Sequence, residues 1–240
     1  MLLARIYSLP KILSLSLPGV FFLGTVITLL VRYILYLYHP DVFQHTTPSI
    51  SRTAAFEPGS IVFTVGINIT VILILISWHF VFHFNASRLR RIDKSSQGVQ
   101  FLNLLAYSFG IISAIFLALL ALINSAMDGP LHEIFSIVYF ATQVAAFTFD
   151  FILWHVLVRK NGIHPDEYRH GQRKALLFIV IACVSALMLF LYLLKIYDVY
   201  HDGHQLITSA FVFFEYTTSI LCFLYAFAYY PEIKRYLYSQ

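Results

Sequence analysis

Acids and histidines, the side chains that move protons and hold cations, collect in three short polar segments of an otherwise apolar chain. The first, residues 39–60, carries His39, Asp41, His45 and Glu57. The second, 124–131, brings Asp128, with His132 and Glu133 just beyond it. The third, "YDVYHDGH", holds Asp198, His201, Asp202 and His204. Three readings of this set are open. His132 can act as a general base, oriented by Glu133 or Glu57, in hydrolysis or group transfer. His201-x-x-His204 with a carboxylate from another segment can ligate zinc. No standard zinc spacing recurs, however, and no metal ligands are assigned. The same side chains also suit the headgroup zone of a membrane without doing any chemistry.

Other catalytic signatures are missing from the sequence. It has no P-loop, no GxSxG elbow, no HExxH and no dinucleotide fingerprint. Nor does it carry the internal repeat that marks many transporters. Cys183 and Cys222 both fall inside apolar stretches, so no disulfide staples the polar segments.

What must position these residues is a membrane bundle. The 240 residues are 59% hydrophobic and only 12% charged, against about a quarter charged in soluble domains. Mean hydropathy is +0.76. Apolar runs near 17–38, 61–83, 101–123, 132–158, 174–196 and 205–230 are each long enough to cross a ~30 Å hydrocarbon core as a helix. They are continuous, not alternating, which favours helices over a barrel. The expected fold is an all-α, polytopic bundle of six transmembrane helices forming one unit over 1–240. Span one lacks a small-residue cleavage site and reads as a retained helix.

Basic residues give the orientation. Arg5 and Lys11 precede span one. Arg88, Arg90, Arg91 and Lys94 follow span two. Arg159, Lys160, Arg169, Arg173 and Lys174 follow span four, and Lys234 and Arg235 lie in the tail. These make 13 of the 16 Lys and Arg. The positive-inside rule puts these segments and both termini in the cytosol, and the acid- and histidine-bearing segments outside it. The bias accounts for the pI near 9.0 without nucleic-acid binding. An anionic leaflet is the ordinary partner of such charge. Two sequons, at Asn68 and Asn85, then lie in a span and on the cytosolic side, and neither is expected to carry sugar.

Inside the spans the exceptions are Arg32, Asp150 and Glu215. A charge at the bilayer centre costs at least ~2.5–3.5 kcal/mol, so each needs a partner or a route to water. Arg32 and Glu215 are suited to pair. Asp150 lies nearer the cytosolic end and is expected to reach water or Arg159. His79, His83 and His155 read as interfacial residues.

Three further stretches bear on function. "TPSISRTAAFEPGSIVFTVGI" resembles the first lumenal loop of the Frag/DRAM/Sfk family of six-span proteins, with Pro48, Ser49, Ile50, Ser51, Glu57 and Pro58 at the family's positions. "LHEIFSIVYF", with His132 and Glu133, resembles the family's fourth-span opening, and "FVFFEYTTSILCFLYAFAYY", with Glu215 and Tyr216, its last span. The look is closest to the branch of post-GPI-attachment factors, related to the N-terminal domain of a fungal cell-wall protein that remodels GPI lipids.

The resemblance implies remodelling or reacylation of lyso-GPI-anchored proteins in the Golgi or endoplasmic reticulum, at a lumenal site. On this reading His132 is the base and Glu215 an acid or headgroup contact. Ser51, Glu57, Glu133, Arg32 and Tyr216 meet the lipid. Membrane lipids and lyso-GPI-anchored proteins are the implied partners. No cofactor is expected beyond an acyl donor. The family's DRAM and Sfk branches imply an alternative: a non-enzymatic membrane regulator of lysosome or plasma membrane, acting through the basic loops.

Overall fold

The structure, a computed structural model, describes residues 12–45, 47–92, 97–159, 165–196 and 204–238, with the backbone alone at 44, 45, 91, 92, 165–167 and 204. Regular structure among these residues is helical throughout. Six long helices are α1 (Ser16–Tyr38), α4 (Gly59–Ile92), α5 (Gln97–Leu122), α6 (Gly129–Arg159), α7 (Pro165–Ile196) and α8 (His204–Tyr238). Each is long and apolar enough to cross a membrane. Two single turns, α2 (Val42–His45) and α3 (Ile50–Thr53), fold within the segment between α1 and α4.

Local sequence sets the helix ends near the polar segments. The Asp128 carboxylate accepts the Leu131 N–H at 3.0 Å and caps α6, whose first turn also takes Pro130. The Ser49 hydroxyl accepts the Arg52 N–H at 3.2 Å and caps α3. At the other end of the molecule the helices outrun the apolar stretches. α4 continues past 83 to Ile92, α7 begins at Pro165 rather than 174, and α8 passes through exposed Pro231 to Tyr238. Hydropathy drops there because charges appear; of these, Arg88, Lys174 and Glu232 are buried among the helices, while Arg90, Arg169, Arg173, Lys234 and Arg235 stay exposed.

The six helices close a ring in chain order. Each packs on its sequence neighbour, α8 returns to α1, and α4 also touches α8 across the middle. The α6–α7 seam is slight, and α7 buries only 11% of its apolar window, against 33–39% for the others. It therefore faces mostly lipid. Close approach depends on small residues. A Cβ on Gly110 would stand 2.3 Å from the Trp78 ring, and one on Gly66 would stand 2.5 Å from Ile27. Trp78, Phe147 and Tyr225 form an aromatic column, with centroids 6.2 and 4.0 Å apart. Polar pairs tie the seams: Ser16 to Ser77 at 3.0 Å, the Thr64 hydroxyl to the Ala121 carbonyl at 2.7 Å, and Ser113 to Gln143.

Asp150 does not reach water or Arg159. It is 2% exposed and accepts hydrogen bonds from Asn85 at 3.2 Å, from the Tyr225 hydroxyl at 2.7 Å and from the Tyr229 hydroxyl. Tyr225 and Tyr229 stand one turn apart on α8, on the same face. Nearby, Glu232 lies between Arg88 at 3.0 Å and Lys174 at 3.1 Å, and all three are buried. Lys174 also rests 3.6 Å over the Tyr229 ring. Two of the residues counted as loop charge thus belong to the interior, where two carboxylates balance two cations. The Asn85 side chain is held by Asp150 and is not free at a surface.

Candidate functional site at the acidic mouth

Ser51 and His132 meet at the end of the ring where the polar segments lie. Ser51 is in the single turn α3, and His132 is in the first turn of α6. The imidazole is 6% exposed, with its Nδ1 2.6 Å from the Ile123 carbonyl and its Nε2 2.7 Å from the Ser51 hydroxyl. A carbonyl oxygen only accepts, so Nδ1 carries the proton. In the neutral ring Nε2 is then the acceptor, and the Ser51 O–H donates to it. A hydroxyl whose proton points at a fixed, unprotonated imidazole nitrogen has the arrangement of an activated nucleophile or of a general base with its proton source.

The orienting group corrects the expectation from sequence. Neither Glu133 nor Glu57 touches the imidazole. Glu133, exposed on α6, accepts a hydrogen bond from the Tyr192 hydroxyl of α7. Exposed Glu57 accepts from Ser60 at the start of α4, and its carbonyl contacts His39 at 2.9 Å. The orienter is the Ile123 backbone carbonyl at the end of α5, which has no side-chain signature. Ser125 adds a second tie, its hydroxyl donating to the Ser51 carbonyl at 3.3 Å.

Arg32 and Glu215 do not form the expected pair with each other. They hold the loop that carries Ser51. The Arg32 guanidinium donates to the Pro48 carbonyl at 3.1 Å, and the Glu215 carboxylate accepts the Ile50 N–H at 3.1 Å. Glu215 is buried, and its contact is with the residue next to Ser51. Arg32 also lies over the rings of Tyr216 at 5.0 Å and Phe43 at 5.5 Å. The Tyr216 hydroxyl makes no hydrogen bond of ordinary geometry, with Thr53 and Arg32 as its polar neighbours. Thr47 joins the same loop to Ser209 on α8 at 3.1 Å.

Ser51, His132, Glu215, Arg32 and Tyr216 thus share one end of the ring, while Glu57 and Glu133 serve other contacts. Residues 197–203, with Asp198, His201 and Asp202, and the side chains of His45 and His204 lie outside the described set, so the His-x-x-His reading does too. Among the described residues no three His, Cys, Asp or Glu gather as a metal site would require.

The fold and the site define a polytopic membrane protein with a serine–histidine pair at one mouth of a six-helix ring. The chain belongs to the Frag1/DRAM/Sfk1/Cwh43P N-terminal domain family, whose model matches residues 12–236. No curated protein and no solved structure gives a significant match.

Proposed function

We propose that this chain remodels the lipid of GPI-anchored proteins by acyl transfer at its extracytosolic face, within the Golgi or endoplasmic reticulum. The observation that carries the reading is the 2.7 Å contact between Ser51 and His132, with the imidazole oriented by Ile123. The sequence resemblance to the GPI-factor branch supplies the substrate class. The charge bias supplies the side of the membrane.

The step follows from the groups present. The Ser51 Oγ attacks the ester carbonyl of an acyl donor, a phospholipid of the same leaflet, and its proton passes to Nε2 of His132. The tetrahedral adduct collapses, and the leaving lipid alcohol takes that proton, leaving acyl-Ser51. The free hydroxyl of a lyso-GPI lipid then gives its proton to His132 and attacks the acyl ester; the adduct collapses, and the departing Ser51 Oγ takes the proton back from His132. Ile123 fixes the tautomer throughout. Arg32 uses one of its five N–H donors on Pro48, so others remain for the phosphate of the inositol headgroup. The acyl chains lie along the apolar helix faces.

Mass spectrometry of GPI lipids from cells lacking the protein tests this. The lyso or unremodelled forms accumulate, and the wild-type chain restores the mature lipid. Neither Ser51→Ala nor His132→Ala restores it. Normal lipids in the deleted cells would sink the proposal. Full rescue by both variants, with failure of basic-loop variants, would favour the regulator.

A further inference from the structure

At the opposite end of the ring from Ser51, a groove of about 790 Å³ opens among α4, α5, α8 and the residues just before α1. Its volume is in the range of ligand sites, about 300–1,000 Å³. The deeper wall is apolar, with Leu75, Ile111 and Ile233. The polar part is basic: His79, His83 and Arg90, all exposed and all on α4. The two imidazole ring centroids stand 4.4 Å apart. No carboxylate lines the groove among its described residues, nor does one pair with Arg90.

The level of these groups in the bilayer follows from helix geometry. His79 lies twenty residues beyond the start of α4 at Gly59, about 30 Å at 1.5 Å per residue. That is the thickness of the hydrocarbon core, so His79 and His83 sit at the headgroup level and Arg90 beyond it. An apolar trough below an exposed guanidinium and two imidazoles able to donate N–H bonds matches an acyl lipid with a negatively charged head. We infer that this groove binds a diacyl phospholipid with a net-anionic headgroup, taken from the leaflet opposite the Ser51–His132 site. The chains lie against Leu75, Ile111 and Ile233, the headgroup phosphate meets the histidine pair, and the outer anionic part of the headgroup meets Arg90. The groove shares no residue with the serine–histidine site, so it is a second lipid site.

The test uses the full-length purified protein in nanodiscs of phosphatidylcholine containing a minor fraction of phosphatidylserine. Lipids retained after exchange into mild detergent are counted by native mass spectrometry. The wild type retains phosphatidylserine in excess of its share. Arg90→Ala lowers that excess about fivefold, the effect of one basic residue at an anionic surface. Arg90→Lys keeps most of it, and His79→Gln with His83→Gln lowers it further. Ile111→Trp, which fills the trough without touching charge, reduces retention of both lipids. Inorganic phosphate does not displace the bound lipid. Equal retention of the two lipids by the wild type, no effect of Arg90→Ala, or displacement by phosphate alone would overturn the inference.

Discussion

Arg32 and Glu215 face the same short stretch of backbone and grip it from opposite ends, the cation on the Pro48 carbonyl and the carboxylate on the Ile50 N–H. Both side chains thereby find main-chain partners in place of a direct ion pair with each other. The stretch they fix leads straight into Ser51. The contacts that satisfy Arg32 and Glu215 also place the Ser51 hydroxyl beside His132.

Removing the acceptor at Glu215 should therefore disturb the neighbouring residue. Glu215→Ala leaves the Ile50 N–H unpaired and costs about 1–3 kcal/mol of stability. Glu215→Gln keeps an acceptor oxygen and costs less. Thermal unfolding in detergent reads the stability, and GPI-lipid rescue reads the loss of Ser51 placement. Equal behaviour of the two variants would show that the carboxylate's charge, not its hydrogen bond, matters.

Ser51 and His132 should act as a unit. Each alanine variant abolishes most of the remodelling, and the double variant is no worse than either alone. Lipid mass spectrometry of the three rescued lines gives the comparison. Losses that multiply would separate the two residues into independent roles.

Glu232 should be the costliest charge to remove at the basic end. Glu232→Ala removes the carboxylate that bridges buried Arg88 and Lys174 and destabilises by roughly 3–5 kcal/mol. Glu232→Gln, which keeps the volume and an acceptor oxygen, costs less. Melting temperatures of the two variants decide it.

Glycine tolerance should differ sharply along α5. Gly110→Ala places a methyl into the Trp78 ring and costs about 1–3 kcal/mol. Gly98→Ala meets nothing within 4 Å and is neutral or stabilising by up to about 1 kcal/mol. Thermal melts of the pair measure the contrast directly.

The orientation can be read by labelling. In a chain with Cys183 and Cys222 replaced, Met127→Cys, at a position that is 70% exposed, reacts with an impermeant maleimide from the extracytosolic side. Arg159→Cys reacts only from the other side. The reverse pattern would invert the topology, and with it the side assigned to Ser51.

Long apolar runs made the six helices legible because the bilayer demands about 20 apolar residues per crossing. The placement of His132 at the polar mouth was within reach because it opens a span beside a polar segment. Its partners were not. Ser51 lies 81 residues away, and the orienting group is a backbone carbonyl, identical in every residue. Glu133 looked like the orienter by adjacency, yet in a helix successive side chains point in different directions, and it meets Tyr192 instead. Arg88 and Lys174 looked like loop charges because hydropathy stops where they begin. Only the tertiary meeting of α4, α7 and α8 turns them inward. The one local hint was the spacing of Tyr225 and Tyr229, which places two hydroxyls on one face of the last span.

That meeting also bears on how the molecule is made. Synthesis delivers helices in chain order. Arg88 arrives with α4 and Lys174 with α7, while the carboxylate that bridges them comes with the final turns of α8. Arrival of Glu232 therefore joins three helices at once. The last helix is thus a completion latch, and an interrupted chain lacks the bridge between α4 and α7.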